Sequence, residues 1–161
     1  MENKNLYLIR GLSGSGKTTL ALELAKGLED VSVISVDDYF EDENGNYSFD
    51  GDLLQEAHHW CIQNVSDWMS SSAENIIVHN TLTRKWEVDP YLELASIYKY
   101  RHTILSLYDG GLSDIQLTAR SKHNTPLYAI KAQRKRWEND VFRDKAHTSP
   151  KPYFKKNHKK Y

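Results

Sequence analysis

Eight residues constrain this chain more than any others: Gly11-Leu12-Ser13-Gly14-Ser15-Gly16-Lys17-Thr18. They satisfy G-x-x-x-x-G-K-[ST] at every fixed position, and they stand between an apolar run at 5–10 and a stretch of helical period. Glycines at these positions let successive backbone N–H groups turn inward around a phosphate, and the following helix adds the positive end of its dipole. The loop therefore assigns Ser13, Gly14, Ser15, Gly16, Lys17, Thr18 and Thr19 to a nucleoside triphosphate. Lys17 is placed to reach the β/γ oxygens, and the Thr18 hydroxyl is a candidate ligand for Mg²⁺.

The rest of the chain alternates in the same style. After Lys17, Leu20, Leu24 and Leu28 recur at helical spacing, and Gly27 can end that helix. "VSVISV" (31–36) reads as a second strand, and the polar stretch 41–52 as an exposed loop. Residues 53–69 form a helix with Leu54, Ala57, Cys61, Val65 and Trp68 on one stripe. "NIIVHN" is a third strand, and Asp89-Pro90 is expected to start the next helix as N-cap and N1. "HTILSLY" is a fourth strand, Ser113 caps a short helix ending near Arg120, and Pro126 opens a last helix carrying Trp137. Strands alternating with helices predict an α/β domain with a mostly parallel sheet flanked by helices.

A chain of 161 residues with 39% apolar and 27% charged residues suits one domain, with no apolar run near the ~18 needed to cross a bilayer. The N-terminal stretch lacks a signal-peptide pattern, and Cys61 has no partner for an internal disulfide, so a cytoplasmic location is expected. No pair among the seven histidines has zinc-site spacing with Cys or acid partners. The net charge of −1 conceals an asymmetry: residues 1–130 hold 10 Lys and Arg against 19 Asp and Glu, whereas 131–161 hold 11 against 3. The end, "SPKPYFKKNHKKY", interleaves five lysines with Tyr153, Phe154 and Tyr161. It reads either as a solvated tail or as an arm for a polyanion, through phosphate contacts and base stacking. The division expected is a domain at 1–142 and a basic tail at 143–161.

Two carboxylates, Asp37 and Asp38, close the second strand about 20 residues after Lys17. Ligands in a doubly wound sheet lie at the C-terminal ends of strands, so an acid there faces the terminal phosphate and can take a proton from an attacking hydroxyl. Successive side chains leaving a strand point opposite ways, so only one of the two acids is expected to reach the site. Asp38 is retained as an acceptor-side candidate, although a helix-cap or loop role suits it better. The third strand ends on His79-Asn80 where an acid is expected. Imidazole is a poor ligand for Mg²⁺, so His79 or Asn80 is expected to hydrogen-bond a metal-bound water, a phosphate or the backbone, leaving Thr18 and Asp37 for the metal. Thr81, Thr83 and Arg84 are acceptor-side candidates, and Trp86 reads as packing.

The segments "RGLSGSGKTTLA", "SVDDYF", "NYSFD", "IIVHNTLTRKWEVDPYLELA" and "LTARSKHNTP", in this order, resemble the small P-loop kinases related to the kinase domain of phage polynucleotide kinase. They look closest to the stand-alone phage ATP-binding proteins of that group, which would place the chain in a host cytoplasm. The resemblance implies a P-loop core with a short helical lid, with Asp37 as general base on a polynucleotide 5′-hydroxyl. It also implies Arg120 as the lid arginine on the ATP phosphates, with His123 nearby. Two positions depart from the pattern: Phe40 stands where an arginine would hold the acceptor-side phosphate, so that either Arg84 or Lys85 supplies the charge or the substrate differs, and His79 stands at or beside an aspartate. No D-x-D-G-[ST] phosphatase signature is present.

The readings that follow are an ATP-dependent 5′-hydroxyl kinase acting at a nucleic-acid end, or the same chemistry on a nucleoside monophosphate, a small metabolite or a hydroxymethylated base. A third is an ATP-dependent nucleic-acid-binding protein without turnover.

Overall fold

The computed structural model describes residues 3–141; the basic tail lies outside them. Four strands, β1 (Asn5–Gly11), β2 (Val31–Ile34), β3 (Asn75–Asn80) and β4 (Arg101–Tyr108), form one sheet in the order β2-β3-β1-β4, every pairing parallel. Five helices connect or flank them: α1 (Lys17–Lys26), α2 (Leu54–Ser70), α3 (Lys85–Tyr98), α4 (Asp114–Arg120) and α5 (Leu127–Arg136). This is the expected architecture of a parallel sheet flanked by helices.

The alternation of β1 sorts its side chains onto two faces. Leu6 and Leu8 join Ile76, Val78 and Ile34 under α2 and α3, packing on Ala57, Cys61, Val65, Val88 and Tyr91. Ile9 and Tyr7 join Ile77 on the other face, under Leu20, Ala21 and Leu24 of α1. A third, smaller cluster of Leu12, Leu117 and Ile130 seats α4 and α5 beside the glycine-rich loop. The central position of β1 places that loop where the connections depart in opposite directions, β3 on one side and β4 on the other.

Three local expectations are corrected. The second strand stops at Ile34, and Val36–Phe40 turns into a 3-10 helix, because the Asp38 carboxylate accepts the Ser35 N–H at 2.8 Å and caps the turn. Helix α3 starts at Lys85 rather than at Pro90. Glu87 fixes that start by accepting the Arg84 N–H at 2.9 Å, while Pro90 sits inside the helix and Asp89 pairs with Lys85 at 2.6 Å. Helix α5 ends at Arg136, which leaves Trp137 beyond its last turn, under the Arg10 guanidinium at 3.8 Å.

The polar stretch 41–52 is largely exposed, as expected, yet it is built. Asp42 accepts the N–H groups of Asn44 and Asn46, each at 2.9 Å, and Ser48 N–H returns to the Phe40 carbonyl at 2.8 Å. A bridge between Glu41 and Tyr47 completes a small hairpin. None of the described helices is long and apolar enough to cross a membrane.

Candidate active site

The loop after β1 has the features a phosphate requires. Gly14 (φ 81°) and Gly16 (φ 103°) occupy the left-handed region, which glycine reaches without strain. A Cβ on Gly14 would collide with the Leu117 carbonyl oxygen, so α4 lies directly on the loop. A Cβ on Gly16 would meet nothing within 4 Å, leaving open space at the N-terminus of α1. The Ser15 hydroxyl is buried without a hydrogen-bond partner among the described residues. An orphaned donor beside open space at a helix N-terminus fits an incoming anion.

Lys17 is half-buried at the base of the loop and donates to the Leu12 carbonyl at 3.0 Å. Burial pushes its pKa down to about 8, with the nearby Asp37 charge opposing the shift. An enclosed ammonium with a weak neutral partner is poised for a stronger anion. Ser13 is held from outside: its N–H donates to Gln133 Oε1 at 2.9 Å, and Gln133 Nε2 donates back to the Ser13 hydroxyl at 3.0 Å. Gln133 had no signal in the sequence, being one polar residue in a basic helix; only the docking of α5 brings it to the loop. Thr18 and Thr19 are exposed on the first turn of α1.

Asp37 and Asp38 separate because the 3-10 turn that carries them uses only one of the two as its cap. Asp38 is engaged with the Ser35 N–H, which gives it the cap role. Asp37 projects outward with its side chain 52% exposed, its Oδ1 accepting from the Tyr47 hydroxyl at 3.0 Å and its Oδ2 3.8 Å from His123 Nε2. The base of this arrangement is Asn80, whose Oδ1 accepts the Val36 N–H at 2.8 Å. That bond meets the expectation that His79 or Asn80 would engage the backbone. His79 is half-buried and faces Asp38, Lys17, Asp37 and Lys122; burial pushes its pKa down, so the ring is neutral near neutral pH.

The acceptor-side candidates divide sharply. Thr83 is fully buried, donating to Glu87 at 2.6 Å and accepting from Arg136 Nε at 3.1 Å, so it braces the start of α3 and faces no ligand. Lys85 is buried against Asp89. Thr81 and Arg84 are half-buried at the C-terminal edge of β3, and the Arg84 guanidinium has no hydrogen bond or ion pair among the described residues. Trp86 is half-buried. Phe40, at the position of the missing arginine, is 6% exposed inside an aromatic cluster with Tyr39, Tyr47 and Phe49.

Arg120 ends α4, one turn beyond Leu117, exposed and without a partner among the described residues. By contrast Arg134 is spent on structure, bonded to Asp109 and Asp114 at 2.7 Å each. Arg10 is also structural: fully buried, it donates to the carbonyls of Leu82, Thr83 and Glu138.

A family model described as an AAA domain, AAA_33, matches residues 6–139. The chain belongs to the AAA_33 family. Human NEDD4-binding protein 2 is 40% identical to this AAA_33 domain over 96 residues, which are 60% of the chain and 5% of that protein. A chain of the Pnkp1/Rnl/Hen1 RNA repair complex superposes with a TM-score of 0.66 at 15% identity, covering 84% of this chain and 44% of that one. A gluconokinase from Sinorhizobium meliloti 1021 superposes with a TM-score of 0.57 at 16% identity, covering 86% and 78%. At such identities the structural likenesses establish the fold, that of a small P-loop kinase. The AAA_33 domain spans less than half of the repair chain and a small fraction of the human relative.

Proposed function

We propose that this protein transfers the γ-phosphoryl group of ATP to the 5′-hydroxyl end of a polynucleotide. The observation that carries the reading is Asp37, a half-exposed carboxylate whose charge bears on Lys17, with Arg120, which has no partner among the described residues, on the helix that lies against the phosphate loop. In the reaction, Asp37 takes the proton of the acceptor hydroxyl as the new O–P bond forms. The bond from the γ-phosphorus to the bridging oxygen breaks, and ADP carries away that electron pair. Ser13, Gly14, Ser15, Gly16, Lys17, Thr18 and Thr19 hold the triphosphate, and Lys17 and Arg120 offset charge on the transferred group.

Among the described residues no three His, Cys, Asp or Glu side chains cluster as a metal cage. The exposed Thr18 hydroxyl and the Asp37 carboxylate instead suit an ion that keeps waters and takes phosphate ligands. Those two residues would hold Mg²⁺, which when bound supplies neutralisation of phosphate charge.

Thr81 and Arg84 are the acceptor-side contacts in this reading, with Arg84 replacing the charge that Phe40 lacks. Asp38, bound to the Ser35 N–H, supports the acceptor side only through the turn it caps. The basic tail supplies further contacts to the polymer. The RNA repair neighbour and the surplus of lysine in the tail support a polymer. The burial of Phe40 favours a second reading, the same chemistry on a small hydroxyl compound, and the gluconokinase likeness is compatible with it.

The test is labelled ATP with 5′-OH RNA, 5′-OH DNA, nucleoside monophosphates, modified DNA and small polyols, beside Asp37→Asn. Label on a 5′ end that falls at least a hundredfold in the variant supports the proposal. Label only on a small compound supports the second reading, and label on nothing removes both.

A further inference from the structure

Tyr47 and His123 lie 76 positions apart, one in the hairpin after β2 and the other between α4 and α5. Their rings stack with centroids 3.8 Å apart and an interplanar angle of 20°. Tyr47 simultaneously donates its hydroxyl to Asp37 Oδ1 at 3.0 Å, and His123 Nε2 stands 3.8 Å from Oδ2 of the same carboxylate. The hairpin is therefore joined to the lid segment directly over the proposed base.

We propose that Tyr47 is a positioning residue for Asp37, and that His123 of the lid segment holds Tyr47 in place. This rests on the reading of Asp37 as the base. A carboxylate on an exposed turn rotates freely unless one oxygen is tied. The bond from Tyr47 ties Oδ1 and so fixes the direction in which the carboxylate is presented.

The support for Tyr47 is itself preformed. Phe40 meets its ring edge-on at 6.3 Å, and the Asp42 turn and the Glu41 bridge hold the hairpin backbone. Phe40 thereby acquires a use that an arginine at its position would not provide: it backs the residue that aims the base. His123 stacks on a face of the Tyr47 ring, so the aim of Asp37 depends on the lid segment being in place.

The experiment is a mutant cycle on the full chain, read by acceptor phosphorylation and by the slow hydrolysis of ATP by water. Tyr47→Phe removes only the hydroxyl and preserves the stacking ring. It is expected to lower kcat about tenfold while KM for ATP and the melting temperature hold, because misaimed groups cost rate rather than binding. Added to Asp37→Asn it should cost nothing further, since both changes act through one carboxylate. His123→Ala should lower kcat about threefold in the wild type and much less beside Tyr47→Phe.

An unchanged kcat in Tyr47→Phe, or a full additive loss beside Asp37→Asn, overturns the proposal. A loss in Tyr47→Phe that tracks a lowered melting temperature overturns it too, as a structural effect. Wild-type protein that labels no acceptor defeats the polynucleotide reading instead, and the cycle is then decided on hydrolysis alone. There, indifference of hydrolysis to Asp37→Asn overturns the base assignment and this proposal together.

Discussion

Asn80 accepts the backbone N–H of Val36 at 2.8 Å, and so fastens the end of β3 to the turn that carries Asp37. The same side chain donates to the buried Cys61 thiol at 3.7 Å, which locks its amide orientation. The residue that stands one place beyond His79 thus acts on the site through the backbone.

Replacing Asn80 with leucine leaves the buried Val36 N–H without a partner, at a cost of about 1–3 kcal/mol. Urea unfolding should register that loss. Phosphoryl transfer should fall further than ATP affinity, because the turn bearing Asp37 shifts while the glycine-rich loop does not. Equal losses in both would place the effect in global stability.

Lys17 is expected to destabilise the protein that it serves. Its pKa is lowered to about 8 in the fold, so the charged form is penalised by up to about 3 kcal/mol below that pH. The penalty is complete below pH 8 and fades as pH rises toward 10.5, the ordinary lysine value. Lys17→Met should therefore abolish ATP binding and still raise the melting temperature at pH 7, with the gain shrinking above pH 8. Calorimetric titration with ATP and thermal melts at pH 7 and 9.5 provide the check.

His58 is buried and its pKa is pushed down, chiefly by burial, with Glu87 and Asp37 opposing. The unfolded chain takes up a proton near 6.5 and the folded one resists it, so stability is full above that pH and is lost as pH falls below it. The loss is about 1.4 kcal/mol per pH unit for this group at most. His58→Leu should flatten the decline of unfolding free energy between pH 6.5 and 5 by up to that slope.

Phe40→Arg places a charge in the aromatic cluster of Tyr39, Tyr47 and Phe49. It is expected to destabilise by about 3–5 kcal/mol through lost packing and an unpaired buried cation, and to reduce phosphorylation of 5′ ends. Raised affinity for a 5′-end substrate in a folded variant would return position 40 to the acceptor side.

The strand–loop–helix at the start, the four strands, and the cap at Ser113 were legible because each is written in a contiguous stretch. Period, glycine placement and capping chemistry act within a few residues. The start of α3 was misread for an instructive reason. Asp89-Pro90 is a sound local signal, but Glu87 accepts from the Arg84 N–H and from Thr83, which in turn accepts from Arg136 at the end of α5. Thr83 looked open to a ligand for the same reason, since nothing near it in sequence announces a buried network.

The sequence by itself determined the phosphate loop, the parallel α/β order and the acid pair after β2, all consequences of local backbone preference and hydrophobic period. Tertiary structure alone decided that Gln133 grips Ser13 and that Tyr47 and His123 meet over Asp37. Those contacts join segments dozens of residues apart. Their geometry follows from how α4, α5 and the 41–48 hairpin pack, and packing depends on the shape of the whole core rather than on any one stretch of chain.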